Sequence, residues 1–305
     1  MQIKPIVSVV MITYGHENYI RQAIEGVFMQ ECDFEIELIL ANDCSPDKTD
    51  IVIQDILKTH PKANWIKYFN HEKNLGMMPN FIFALKNATG KYIALCEGDD
   101  YWIDKLKLQK QVDFLERNLD YVLIFHKVKI LDLDGNIKED FITKVPENHE
   151  NIETLAQFGN YIHTPSVVFR NIIKEFPFEF EQTPIGDFFL YLLLAQHGKI
   201  KYLKENMCVY RYGVGVFSAK SSLHLARTNL KLLTCLISYF NDEKIKKIIF
   251  ERHSNAISSF ENNLNNQFKN SFVSNHLFFR CLNFLLENKT KPNLIFMKIY
   301  NRFIK

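Results

Sequence analysis

Hydrophobic and polar positions in the first hundred residues switch repeatedly between two periods. Residues 6–13 form an uncharged run rich in β-branched side chains, the pattern of a strand buried on both faces. Residues 18–30 take up helical spacing, with Ile20, Ala23, Ile24, Val27 and Phe28 on one face. The switch recurs, predicting strands over 36–41, 65–69 and 92–96 and helices over 49–60 and 80–88, with Ser45 or Asp47 as an N-cap of the second helix. Alternation of this kind means βαβ units and a mostly parallel, Rossmann-like central sheet flanked by helices. In such sheets ligands bind beyond the carboxyl ends of the strands. Thr13-Tyr14, Asn42-Asp43 and residues 97–100 should therefore converge on one rim.

The later pattern is less regular. It predicts a helix over 104–118, a strand over 121–125, a hairpin turn at Asp132-Leu133-Asp134-Gly135-Asn136, a strand over 166–169, a helix over 187–197 and strands over 200–203 and 207–211. Beyond Lys220 only helical spacing remains.

Composition adds little to this picture, and charge adds more. Hydrophobic residues make up 47% and charged residues 24%, as in an ordinary folded domain. No run approaches the ~18 apolar residues of a spanning helix, and the amino terminus lacks a signal-peptide layout, so a cytoplasmic protein is expected. The six cysteines form no CxxC pair and read as buried thiols in a reducing compartment. From Lys220 onward, fourteen Lys/Arg stand against five Asp/Glu, a net +9 on a chain whose total is +2, which leaves −7 for residues 1–219. A basic tail on an acidic body points to an anionic partner surface, or to a solvated helical face. Residues 272–286 and 294–304 stand out, and the second mixes apolar and basic side chains as an interfacial helix does, or as a helical subdomain packed on the rest would. The aromatics lack the interleaving of a nucleic-acid groove, so no nucleic-acid partner is expected.

Three acidic positions carry candidate chemistry. Glu97-Gly98-Asp99-Asp100 sets carboxylates on a tight turn between a buried strand and the aromatic pair Tyr101-Trp102. Hard ions such as Mg²⁺ or Mn²⁺ take such oxygens, and an ion there would neutralise a departing diphosphate. Asp43 follows an apolar strand, where it can accept from a pyrimidine imide N–H or form an Asx-turn. Asp187 opens a helix, where a carboxylate serves as a general base or simply suits the helix dipole. His163 and His126, at other strand ends, are either substrate contacts or structural histidines.

Taken together these residues resemble family 2 glycosyltransferases of the GT-A fold. Residues 7–14 resemble the first strand and its nucleotide-contacting turn, and Asn42-Asp43-Cys44-Ser45-Pro46-Asp47 the "DDGSxD" segment. Lys73-Asn74-Leu75-Gly76 resembles the "N-x-G" loop, with Asn80 matching the Asn after it. Residues 97–102 resemble the "DxDD" segment, and Gly186-Asp187-Phe188-Phe189-Leu190 the acceptor-side motif. The resemblance implies a metal-assisted, inverting transfer from a nucleoside diphosphate sugar, with UDP the expected carrier, to a hydroxyl of a cell-surface or lipid-linked glycan. It implies Asp187 as the base, Asp99 as the ligand of Mn²⁺ or Mg²⁺, and donor contacts from Thr13, Tyr14, Glu17, Asp43, Lys73, Gly76, Asn80, Glu97, Gly98 and Arg211. The expected division is a GT-A domain over 1–219, with a nucleotide-binding half 1–104 and an acceptor half 105–219, then a helical extension over 220–305 whose basic charge would either dock the enzyme peripherally on the inner face of the plasma membrane or belong to helices packed on the catalytic domain.

Two features depart from the family pattern. Glu97 stands where Asp is commoner, and no His follows Tyr210-Arg211, where related chains often place one on the metal or diphosphate. Water or Arg211 would then complete the neutralisation. A sugar nucleotidyltransferase would need a Gly-rich basic phosphate loop after the first strand, and residues 14–18 offer none. A nucleotide-sugar-binding module with weak or no turnover stays open.

Overall fold

The computed structural model of the chain describes residues 6–215 and 221–267; the tail stretches 272–286 and 294–304 lie outside them. The first elements are β1 (Val7–Thr13), α1 (Ile20–Phe28), β2 (Ile36–Asn42), α2 (Thr49–Thr59), β3 (Ile66–Asn70), α3 (Met77–Asn87) and β4 (Tyr92–Leu95). Then come β5 (Tyr101–Trp102), α4 (Lys107–Arg117), β6 (Tyr121–Leu131), β7 (Ile137–Glu139), α5 (Ile152–Phe158), β8 (Val168–Arg170), α6 (Phe178–Gln182), α7 (Gly186–Ala195) and β9 (Lys199–Arg211). Helices α8 (Ser222–Tyr239) and α9 (Glu243–Gln267) follow.

One sheet runs in the order β3-β2-β1-β4-β8-β6-β9-β5, with β7 paired to β6. From β3 to β4 all pairing is parallel. Past β4 it is mixed: β8 is antiparallel to both β4 and β6, β6 is parallel to β9, and β5 is antiparallel to β9. Alternating side chains of the central strands feed two cores. Val7, Val9, Met11, Leu38 and Leu40 pack with α1, α2 and α4, whereas Val10, Ile39, Ala41, Ile93 and Leu95 pack with α3 and α7. Burial on both faces is why these strands read as continuous apolar runs.

Several details differ from the sequence pattern. The strands expected at 200–203 and 207–211 are a single strand, β9, whose register against β6 shifts at His126/Lys127 and Lys127/Lys129. The polar stretch Lys204-Glu205-Asn206 lies across that irregularity and breaks the periodicity. Lys48 occupies the N-cap of α2, and Asp47 serves the helix from one residue earlier by accepting from Thr49 N and Oγ1 at 3.0 and 2.6 Å. The hairpin turn is as expected, with Asp132 Oδ1 accepting from the backbone of Asp134 and Asn136 and Gly135 at φ 82°.

The chain divides into two compact units, Met1–Ala256 and Ile257–Lys305. Within the first, Leu232, Leu233, Leu236, Ile245 and Ile249 of α8 and α9 join the core around α7. The apolar face of α8 thus adds to a core that α7 begins. The second unit is described only over residues 257–267, which continue α9.

The feature that fixes the far end of the sheet is an unusual cation. Lys107 is fully buried, its Nζ donates to Gln111 Oε1 at 2.8 Å, and it lies 4.2 Å from the centre of the Trp102 ring. Gln111 in turn donates to Ile124 O and Ser166 O, and the Trp102 indole N–H donates to Pro165 O at 2.9 Å. These bonds tie β5 and α4 to β6 and to the segment that leads into β8. Burial pushes the Lys107 amine down to about 8 from 10.5, a penalty of roughly 3 kcal/mol at neutral pH. Between those values the unfolded chain binds more protons than the folded one, so this group makes stability rise with pH from about 8 to 10.5. Lys107→Met should raise stability at pH 7 by about 2 kcal/mol, after allowing about 1 kcal/mol for the lost Gln111 bond, and should flatten that alkaline rise. Denaturant melts of both proteins across pH 7–10 check it, and a less stable variant at pH 7 would contradict it.

Candidate functional site

The carboxyl ends of β2, β1 and β4 lie side by side, so the segments leaving them share one rim. Two loops there are laced together. Gly15 N donates to Ser45 Oγ at 3.0 Å, His16 N to Thr49 Oγ1 at 2.9 Å, Glu17 N to Asp47 Oδ2 at 2.9 Å, and Lys48 N to Glu17 Oε2 at 2.9 Å. Glu17, read from sequence as a donor contact, thus braces the β2–α2 loop. Asp43 is 3% exposed, and its two carboxylate oxygens accept from Leu75 N and Gly76 N at 2.7 and 2.9 Å. It ties the 73–76 loop to the end of β2, with lone pairs left for a further donor. Asn80 is buried and spans Ala41 O and the His71 ring. Gly76, at φ 91°, caps α3. Tyr14 and Lys73 are exposed beside this framework.

Next to it is the acidic turn. Ligand oxygens of Glu97, Asp99 and Asp100 lie within 4.8 Å of one another. The turn is held on both sides, by β4 before it and by β5 after it, the latter paired to Val209 and Cys208 of β9. Arg211, at the end of β9, gives its backbone N–H to Asp100 Oδ1 at 2.8 Å and its guanidinium to Asp99 O and Gln22 Oε1, between the rings of Tyr19 and Tyr101. It therefore supports the turn from behind. Gly98 packs where β1 ends: a Cβ there would sit 2.7 Å from Thr13 Oγ1 and 2.9 Å from His16 Nδ1.

Desolvation dominates the electrostatics. Burial, followed by the charges of Asp99 and Asp187, pushes Glu97 up to about 8, and burial with Asp99 beside it holds Asp100 well above the usual carboxylate range. Asp100 Oδ2 is buried without a partner. Three crowded carboxylates with an orphaned oxygen are what a hard divalent cation fits, since its charge would remove both penalties. Sequence reasoning passed over His16. Its Nδ1 is 3.1 Å from Thr13 Oγ1, its Nε2 is 3.9 Å from Asp99 Oδ2, and burial keeps the ring below its ordinary pKa. The signal was its position one turn beyond β1.

A cavity of about 400 Å³ opens on the other side of Glu97. Asp187, Asn160, Thr164, His163 and Tyr210 line it as well. Asp187 Oδ2 accepts from Asn160 Nδ2 at 2.8 Å, with Thr164 Oγ1 at 3.4 Å, and Oδ1 accepts from Phe188 N at 2.7 Å. Burial raises its pKa even so. His163 Nε2 lies 3.0 Å from Asp140 Oδ2. Burial pushes the Asp140 carboxyl up, but its bonds to His163 and Thr143 outweigh that and hold it below the usual range. His126 is a core residue, pushed well below its ordinary pKa by burial, with Nδ1 bonded to Lys127 O.

With this geometry in view, comparison with known proteins is decisive about kinship. A model of glycosyl transferase family 2 matches residues 8–176. The chain belongs to this family. An uncharacterized protein of Mycobacterium tuberculosis is 36% identical over 204 residues, covering 67% of this chain and 58% of that protein. The chain thus spans less than two thirds of the length of that relative. Two solved structures share the fold. S. aureus TarS, crystallised with UDP-GlcNAc, has a TM-score of 0.55 at 17% identity, covering 94% of this chain and 77% of that one. A mannosyltransferase from Pyrobaculum calidifontis, in complex with GDP-Man and Mn²⁺, has a TM-score of 0.61 at 14% identity, covering 100% and 89%. Both support the GT-A assignment of the α/β architecture. Among the described residues no helix is long and apolar enough to cross a membrane.

Gly98→Ala tests the closeness of β1 to the acidic turn. The added methyl should lower stability by roughly 1–3 kcal/mol in a thermal melt, because it meets Oγ1 and Cβ of the buried Thr13 and Nδ1 of His16 at 2.7–2.9 Å. Unchanged stability would mean that the two strand ends are farther apart.

Proposed function

We propose that this family 2 chain transfers a sugar from a nucleoside diphosphate sugar, with UDP the expected carrier, to a hydroxyl of a cell-surface glycan, with inversion at the anomeric carbon. The observation that carries the reading is that Glu97 and Asp187 line one cavity: the carboxylate cluster suited to a diphosphate-bound cation and an isolated carboxylate suited to a base stand at the same opening. The donor complexes of the two fold relatives, one with UDP-GlcNAc and one with GDP-Man and Mn²⁺, support a nucleotide-sugar ligand.

In this reading the residues divide the work. Asp43 and the loop it holds bind the base, with Thr13, Tyr14, Glu17, Lys73, Gly76 and Asn80 shaping the base and ribose pocket. Asp99, with Glu97 and Asp100, would hold Mn²⁺ or Mg²⁺, which when bound acts as a Lewis acid toward the leaving diphosphate. Gly98 permits close approach, and Arg211 keeps the turn in place. Asp187 takes the proton of the acceptor hydroxyl as that oxygen bonds to the anomeric carbon and the bond to the diphosphate breaks. Its raised pKa makes it a stronger base. The basic excess beyond Lys220 supports docking on an anionic leaflet that presents a lipid-linked glycan.

Release of nucleoside diphosphate, measured with Mn²⁺ or Mg²⁺ across a panel of donors, tests the proposal. Asp187→Asn should lower turnover by about 10²–10⁴-fold while nucleotide affinity is kept; wild-type turnover in that variant removes Asp187 as the base. No turnover with any donor despite metal-dependent nucleotide binding would favour the binding module. Asp187 must be ionised to act, so activity should fall as pH drops through its raised pKa. The Asn160 bond favours the ionised form, so Asn160→Ala should move the acid limb of the kcat/KM profile to higher pH. An unmoved limb would assign that limb to another group.

A further inference from the structure

The cavity beside Asp187 carries charges of both signs. Glu97 and Asp187 line it as carboxylates, and α9 supplies Arg252 as the one Lys or Arg among the described lining residues. The position of Arg252 is tied to the candidate base at two points. Its guanidinium lies 5.4 Å from the ring of Phe188, the residue after Asp187. Its Nη2 also packs against Gly159, whose Cβ, if it had one, would sit 2.8 Å away, and Gly159 precedes the Asn160 that bonds Asp187. Nη1 donates to Ala156 O at 2.8 Å. Among the described residues no carboxylate pairs with this cation, and burial alone pulls its pKa below the ordinary value. A guanidinium carries five N–H donors in a planar fork that matches an oxyanion. Among the described residues Ala156 O is the one hydrogen-bond acceptor that this guanidinium meets, although the Arg252 side chain lines the cavity.

We propose that this cavity takes an acceptor bearing an oxyanion, a phosphate or a carboxylate, close to the attacked hydroxyl, and that Arg252 binds that group. This rests on the glycosyltransferase reading above, in which Asp187 faces the acceptor. The polarity fixes the orientation: the anion is repelled by Glu97 and Asp187 and drawn to Arg252, which leaves the hydroxyl at Asp187. The helices after residue 220 thereby take part in choosing the acceptor, because α9 brings Arg252 and α8 brings Asn229 to the same wall. Neutral sugars forgo the charge-assisted bonds and leave the cation unpaired.

Calorimetric titration of the full chain, saturated with UDP and Mg²⁺, tests this with three probes: glucose 6-phosphate, glucuronate and glucose. The two anions distinguish a phosphate from a carboxylate as the preferred group. The proposal expects at least one of them to bind more tightly than glucose, and Arg252→Gln to weaken it by about tenfold or more. Arg252→Lys should retain part of the affinity. Asn229→Asp leaves Arg252 and its bond to Ala156 in place but adds a negative charge to the wall. It should weaken anion binding without affecting glucose, and it carries the test if Arg252→Gln does not fold. Equal anion affinity in wild type and both charge variants, or no preference over glucose, overturns the proposal. UDP affinity is read in the same samples: failure of wild type to bind UDP counts against the glycosyltransferase reading, whatever Arg252 does.

Discussion

Carboxylates crowded at a desolvated strand end are the constraint around which the rest of the molecule is arranged. Glu97, Asp99 and Asp100 share a space under 5 Å across, and burial opposes the charge on Glu97, Asp100 and nearby Asp187. Repulsion of this kind would open a flexible turn. The turn stays closed because it is pinned at each end. β4 lies in the middle of the sheet, and β5 is anchored by the buried Trp102 and by its pairing with β9. Arg211 adds a cation behind the turn and uses its backbone to satisfy one oxygen of Asp100. The oxygen left over, Asp100 Oδ2, is buried without a hydrogen-bond partner.

The two halves of the sheet do different work. The parallel half, β3 to β4, brings strand ends and loops to one rim and cross-links them through Asp43, Asp47 and Glu17. That rigidity is what a nucleotide pocket needs if little ordering is left to be done on binding. The mixed half turns the sheet back so that β8 and β9 flank the acidic turn, and α7 points its first turn at the same opening. Helices α8 and α9, up to Ala256, close the far wall. The rim is therefore built from short loops between adjacent strands, and the cavity beside it from segments far apart in sequence.

That difference explains what the sequence could disclose. The first four strands were legible because burial on both faces writes uninterrupted apolar runs, and the rim followed from the topology rule for parallel sheets. Glu97, Asp99 and Asp187 were legible because each closes or opens an element at a predictable place. β5 was not, since two residues carry no period, and β9 was split in two because its register irregularity against β6 carries polar residues. Asp43, Asn80 and Arg211 were legible as polar groups near the site, but not their bonds to Leu75, Ala41 and Asp99, which depend on loop closure. Nothing local marks Arg252: it reaches the cavity only because α9 returns across Ala156, 96 residues away in the chain.

The central claim is that the Glu97-Asp99-Asp100 cluster holds a divalent cation. Titration with Mn²⁺, followed by electron paramagnetic resonance of the free ion in the presence of UDP, tests it most directly and does not depend on turnover. The account predicts one Mn²⁺ per chain for wild type, displaced by Mg²⁺, and a loss of that site in Asp99→Asn with the fold intact. The same stoichiometry and affinity in Asp99→Asn, or no Mn²⁺ bound by folded wild type, would contradict it.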